Sequence, residues 1–113
     1  LTDSIQLLKS GVELARRTWA VAMEELPGWS TGTLRQYICH QVGKAHLQAV
    51  TEALSIPMNR CSATYTLLGN TGPAAVPITL LSAVDRGELR SGERAALMGI
   101  GSGLNVTMMA VRW

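Results

Sequence analysis

The chain has 113 residues, of which 47% are apolar and 16% charged, with a net charge of +2 and two cysteines. That length accommodates one domain with a real core and is too short for two. A small net charge and few aromatics leave no basic stripe interleaved with stacking rings, so nucleic acid is not an expected partner.

Charged residues fall below the roughly 25% usual for soluble domains, and mean hydropathy is positive. One face is therefore expected to lie against more protein. The chain also starts without an initiator methionine and closes inside an apolar, strand-like run; it is expected to be an excised half of a longer protein, as a single domain over 1–113. No apolar run reaches the 18 or more residues of a membrane span, and no signal peptide opens the sequence. Cys39 and Cys61, with His40 and His46, match no zinc spacing, so no metal is expected. Reduced thiols fit a cytoplasmic protein.

Thr2-Asp3-Ser4 is a capping sequence, and Ile5, Leu8, Val12, Ala15, Trp19, Ala22 and Met23 recur at helical spacing up to Leu26, where Pro27-Gly28 stops the helix. Ser30 to Thr33 is a polar connector, and Gln36 to Cys39 reads as a short buried strand. A second helix is expected from Lys44 to Leu54, with Ala45, Val50 and Leu54 inward, and Pro57-Met58-Asn59 breaks it. Cys61 to Thr66 is extended and Gly69 to Pro73 turns. A third helix ends near Asp85-Arg86-Gly87, Gly87 suiting a left-handed cap; on local grounds it starts near Val76 with Pro77 in its first turn. Ser91-Gly92-Glu93 turns into two apolar strands, Arg94–Gly99 and Leu104–Arg112, joined by a glycine-rich loop. The order α-β-α-β-α-β-β with near-continuous apolar strands argues for an α/β fold: a mixed β-sheet flanked by helices on both faces.

Three loops carry candidate chemistry. His40 ends the first strand, where ligand sites of open α/β sheets gather, although a strand-end histidine alone is most often a hydrogen-bonded structural residue. Asn70, in Gly69-Asn70-Thr71-Gly72, is on local grounds an ordinary turn residue. Gly99-Ile100-Gly101-Ser102-Gly103 lets backbone approach a ligand closely, or makes only a tight hairpin; a strand follows it, so it is no dinucleotide fingerprint. A histidine and an asparagine carboxamide from two loops can both aim N–H groups at one developing negative charge. His46 reads as a surface or packing residue.

Together, Ile38-Cys39-His40-Gln41, Leu68-Gly69-Asn70-Thr71, Gly99-Ile100-Gly101-Ser102-Gly103-Leu104 and the final Val111-Arg112-Trp113 resemble the C-terminal half of a thiolase-superfamily condensing enzyme. The similarity is to the 3-oxoacyl-(acyl-carrier-protein) synthase III branch, and within it to the enzymes that open bacterial long-chain olefin synthesis. The resemblance implies a thiolase-like fold, with the third helix starting close to Asn70. It implies an acyltransferase in which His40 and Asn70 are catalytic, holding the enolate oxygen of the condensing partner. The backbone N–H of Ser102 joins an oxyanion hole for the acyl thioester, with Gly101 and Gly103 lining the substrate.

The same resemblance implies long-chain acyl-CoA thioesters as substrates, no further cofactor, and a homodimer. The nucleophilic cysteine belongs to an N-terminal half absent from this chain. Cys39, adjacent to His40, points to the opposite face, and Cys61 lies outside the motifs; both read as small buried hydrophobes. The general base is unassigned: in the olefin branch it is a glutamate from the other subunit, and no glutamate here sits on a matching motif. The synthase III motif continues His-Gln-Ala-Asn, whereas here it runs His40-Gln41-Val42-Gly43, a departure that touches carrier-protein recognition and leaves the His40/Asn70 pair intact. The expected reaction is a non-decarboxylative Claisen condensation of two acyl-CoA thioesters. The alternatives are a decarboxylating synthase III using malonyl-acyl carrier protein, and a non-catalytic binding or docking subunit.

Overall fold

Period-two alternation along the strands decides how the sheet is covered. A computed structural model describes residues 2–30, 32–40, 44–64, 68, 74–101 and 105–113. It contains helix α1 (Thr2–Glu25), strand β1 (Gln36–Cys39), helix α2 (Lys44–Leu54), a 3-10 turn at Met58–Arg60, strand β2 (Cys61–Ser62), helix α3 (Ala75–Asp85), and strands β3 (Arg94–Gly101) and β4 (Asn105–Arg112). The sheet order is β2-β1-β3-β4. β1 runs parallel to both β2 and β3, and β4 closes the sheet antiparallel to β3.

On one face, Tyr37, Cys39, Ala96 and Met98 pack with Trp19 and Ala22 of α1 and Leu47, Val50 and Leu54 of α2. Each of these large α2 side chains contributes about 1.5–3 kcal/mol by leaving water. The neighbouring residues of the same strands, Ile38 and Ala95, face the other way, onto Ala83 of α3 and Leu89. Trp19 anchors the first cluster, its ring 5.0 Å from that of Trp29 and edge-on to it. The expected mixed sheet with helices on both faces is what forms.

α3 shows how the local chemistry sets an element's limits. Pro77 is its third residue, where the missing amide is one that a first turn leaves without an intrahelical acceptor. At the other end Gly87 takes φ +73, its amide donates to the Val84 carbonyl at 3.0 Å, and the Glu88 amide donates to that of Ala83 at 2.9 Å. This is the complete Schellman closure that Gly87 suggested. The helix thus starts at Ala75, beside the locally expected Val76; the earlier start implied by the resemblance falls in 69–73, outside the described residues.

Several expectations need correction. Ala45 is exposed, because the inward face of α2 is set by Leu47, Val50, Thr51 and Leu54. Met23 is 54% exposed, because the inward face of this end of the helix runs through Trp19, Ala22 and on to Leu26. Of the segment expected to be extended from Cys61 to Thr66, Cys61 and Ser62 form β2 and 65–66 lie outside the described residues, and β3 continues through Gly101, two residues past its expected end. Among the described residues no helix is long and apolar enough to cross a membrane.

Candidate active site

Three parallel strands finish at the same end of the sheet, and each leads into one of the three motif loops. β1, at the centre, ends at Cys39 and delivers His40. β2 lies on one side, with Asn70 eight positions after its end in the sequence, and β3 on the other reaches Gly101, the residue before Ser102. Carboxyl ends of parallel strands are where open α/β sheets bind ligands, because the helix-connecting loops diverge there and leave a crevice.

His40 is half-buried. Its amide donates to the Met98 carbonyl at 3.0 Å, which extends the β1–β3 ladder one residue past β1 and fixes where the imidazole leaves the backbone. The Asn70 loop is flanked by a fixed pair: the Thr64 and Thr79 hydroxyls meet at 2.8 Å, linking the end of β2 to α3. Asn70, Ser102 and Gly103 lie outside the described residues. Gly101 is a strand residue paired with Asn105, so the described part of the glycine-rich motif, 99–101, belongs to β3.

His46 is nearer to His40 than a packing role suggested. Both line a small cavity with Ala15, Cys39, Leu47, Val50, Leu54, Met98, Val106 and Met108. Its volume is about 10 Å³, the space one water needs, so it is no substrate pocket. The His46 Nδ1 is buried and has no hydrogen-bond partner among the described residues. Burial holds the ring below its ordinary 6.5, and His40 adds to the effect. The signal for this proximity was the spacing in the sequence, His46 following His40 by six positions with α2 beginning between them.

The two cysteines also meet. Cys39 is buried and Cys61 half-buried, with their sulfurs 3.6 Å apart. The Cys39 thiol is pushed well above its usual range by its hydrogen bond to Cys61 and by burial, whereas that same bond lowers Cys61 against the effect of burial. Their placement on neighbouring strands was not foreseen from the sequence. Among the described residues no group of three or more His, Cys, Asp or Glu is arranged to hold a metal ion.

The family model for the C-terminal region of 3-oxoacyl-[acyl-carrier-protein] synthase III matches residues 25–113. The chain belongs to this family. Two relatives give it context: an acyl-CoA:acyl-CoA alkyltransferase of Shewanella oneidensis is 43% identical over 112 residues, 99% of this chain, and a β-ketoacyl-[acyl-carrier-protein] synthase III of Pseudomonas aeruginosa is 34% identical over 86 residues, 76% of this chain. A crystal structure of a Xanthomonas campestris OleA variant with bound lauric acid and lauroyl-CoA superposes with a TM-score of 0.91 at 40% identity, covering 98% of this chain and 33% of that one. This synthase III C-terminal chain spans 32% of the length of the Shewanella relative and 26% of the Pseudomonas one. Its mixed sheet and flanking helices are those of the thiolase-like C-terminal part of OleA.

Proposed function

We propose that this chain is the C-terminal half of an acyltransferase that joins two long-chain acyl-CoA thioesters by a non-decarboxylative Claisen condensation. The observation that carries the reading is that β1, β2 and β3 run parallel and end together, with His40 at the end of the central strand; the family resemblance adds Asn70 and Ser102, which lie outside the described residues. Support for this chemistry over the carrier-protein reaction comes from the relatives: the acyl-CoA:acyl-CoA alkyltransferase is 43% identical and the carrier-protein synthase 34%, and OleA has been crystallised with lauroyl-CoA.

In this reading a cysteine thiolate from the N-terminal half attacks the first acyl-CoA and expels CoA, forming an acyl-enzyme. A base then removes an α-proton from the second acyl-CoA. The His40 ring N–H and the Asn70 carboxamide donate to the resulting enolate oxygen, worth on the order of 10²–10³ in rate per donor in comparable sites. The enolate carbon attacks the acyl-cysteine carbonyl, whose oxygen is held by the Ser102 amide beside Gly101 and Gly103. The cysteine leaves as thiolate and a 2-alkyl-3-keto product is formed. CoA thioesters are the substrates and no further cofactor enters.

The N-terminal half also fits what the sheet leaves uncovered. Nearly all of α3 is apolar, and a helix that is apolar all round is one buried on all sides. Yet Leu81 on α3 is 57% exposed and Met109 on β4 53% exposed. We assign this surface to the missing half, and we propose a homodimeric, cytoplasmic enzyme.

The test is to give the full-length protein a long-chain acyl-CoA as sole substrate. CoA release with a 2-alkyl-3-keto product is the expected outcome. Activity that requires malonyl-acyl carrier protein, with matching CO₂ release, assigns the decarboxylating reaction instead.

A further inference from the structure

Cys39 and Cys61 have no part in the condensation chemistry, yet their geometry is that of a reactive pair. Cys39 lies on central strand β1 and Cys61 on β2, the edge of the described sheet. Cys61 is in register with Tyr37, so Cys39 is its diagonal neighbour on the same face, and the two sulfurs meet at 3.6 Å. We infer that this pair is an oxidative modification site, at which a peroxide converts the two thiols to a reversible disulfide.

The two positions divide the roles. Cys61 is the more exposed thiol, and its contact with Cys39, in which either sulfur can donate, favours the Cys61 thiolate; the thiolate is the form a peroxide oxidises. Cys39 keeps its proton until Cys61 has reacted. In the first step the Cys61 sulfur attacks one peroxide oxygen, the O–O bond breaks, and Cys61 sulfenic acid and water form from thiol and hydrogen peroxide. In the second step the Cys39 sulfur attacks the sulfenic sulfur, an S–S bond replaces the S–O bond, and the sulfenic hydroxyl leaves with the Cys39 proton as a second water. The two thiols are oxidised by two electrons and the peroxide is reduced by two.

Closing the bond has a structural cost that falls on the candidate site. Diagonal neighbours on paired strands sit about 7–8 Å apart at Cα, beyond the roughly 4.4–6.8 Å that a disulfide spans. The strands must therefore slide toward each other, which shifts β2 on β1, its one neighbour among the described strands, against the hydrogen bonds that Ser62 makes to Gln36 and Glu88. The movement acts on the carboxyl end of β1, one residue from His40. A disulfide held in this way is strained and readily reduced, which suits a reversible modification. The consequence for turnover rests on the condensing role proposed for His40; the disulfide does not.

The experiment uses the full-length protein, first reduced, then treated with hydrogen peroxide, alkylated with N-ethylmaleimide and digested with trypsin without reductant. Tryptic cleavage places Cys39 in peptide 36–44 and Cys61 in peptide 61–86. The expected product is these two peptides joined, lighter than their sum by two hydrogens, separated by dithiothreitol and absent from Cys61→Ser. In parallel, wild type shows a dithiothreitol-reversible loss of turnover larger than that of Cys61→Ser, in which peroxide still reaches the nucleophilic cysteine, by roughly 10²-fold, the scale of effect expected from about 1 Å of misplacement at a reacting centre. Recovery of both cysteines as maleimide adducts, or of Cys61 as sulfonic acid without the linked peptides, overturns the inference. If the linked peptides form in a protein that does not condense acyl-CoA, the modification site stands and the functional reading fails.

Discussion

The amide of His40 donates to the carbonyl of Met98 at 3.0 Å, so the backbone that presents the imidazole is held by β3 independently of anything the ring does. A side chain mounted this way is removable without disturbing its mount. His40→Ala is therefore expected to leave stability within about 0.5 kcal/mol of wild type, as for substitutions away from the core, while slowing turnover on the order of 10²–10³-fold. Urea denaturation of the full-length variant, set beside its steady-state rate, checks both halves; a loss of stability comparable to that of a core truncation contradicts the mounting argument.

Tyr37 is fully buried against Trp19, and among the described residues its hydroxyl has no hydrogen-bond partner. Leaving such a group unsatisfied costs about 1–3 kcal/mol. Tyr37→Phe keeps the ring packing and removes the orphaned hydroxyl, so the variant is expected to match or exceed wild type by about 1 kcal/mol in chemical denaturation. A marked destabilisation requires a partner for the hydroxyl.

His46 sets a pH dependence of stability. Its folded ring titrates below the ordinary 6.5 because of burial, with His40 adding to the effect. Below pH 6.5 the unfolded ring takes up a proton that the folded ring still refuses, so the unfolded state holds more protons and stability rises with pH across that window. The His46 contribution is complete above pH 6.5 and is lost as pH falls through the lowered folded value. His46→Leu, which puts an apolar group into a largely apolar cavity, flattens this fall; equal acid sensitivity in variant and wild type places the titrating group elsewhere.

Much of this was legible in the sequence because local physics and tertiary context agree. Helix α2 runs from Lys44 to Leu54 as its spacing and flanking residues predict, and Gly87 caps α3 as glycine at that position should. Legibility ended where long-range geometry decides. The inward face of α2 passes through Leu47 and Thr51 and leaves out Ala45 because the sheet, not the helix pattern, picks the face. Gly101 looks like a loop residue but stays in β3, where antiparallel pairing with Asn105 outweighs its weak strand preference. The contact between Cys39 and Cys61, 22 positions apart, follows from strand order, which no local pattern encodes. For the candidate site, the parallel strands carrying His40 and leading to the other loops follow from the topology, whereas the roles of Asn70 and Ser102 rest on the family resemblance.

The Ser102 amide, not its hydroxyl, is assigned to the acyl oxyanion. Ser102→Ala is accordingly expected to be mild and Ser102→Pro severe, because only proline removes the N–H. Initial rates of the two full-length variants with acyl-CoA distinguish the cases. A severe alanine variant gives the hydroxyl a role the account does not.

The central claim is that His40 and Asn70 act on the second carbonyl and not on the first. Rapid mixing of full-length protein with a long-chain acyl-CoA, followed by mass spectrometry of the intact protein, separates the two half-reactions. The account predicts that His40→Ala and Asn70→Ala still release one equivalent of CoA and accumulate the acyl-enzyme, while carbon–carbon bond formation slows on the order of 10²–10³-fold. Failure of either variant to acylate at the wild-type rate contradicts it.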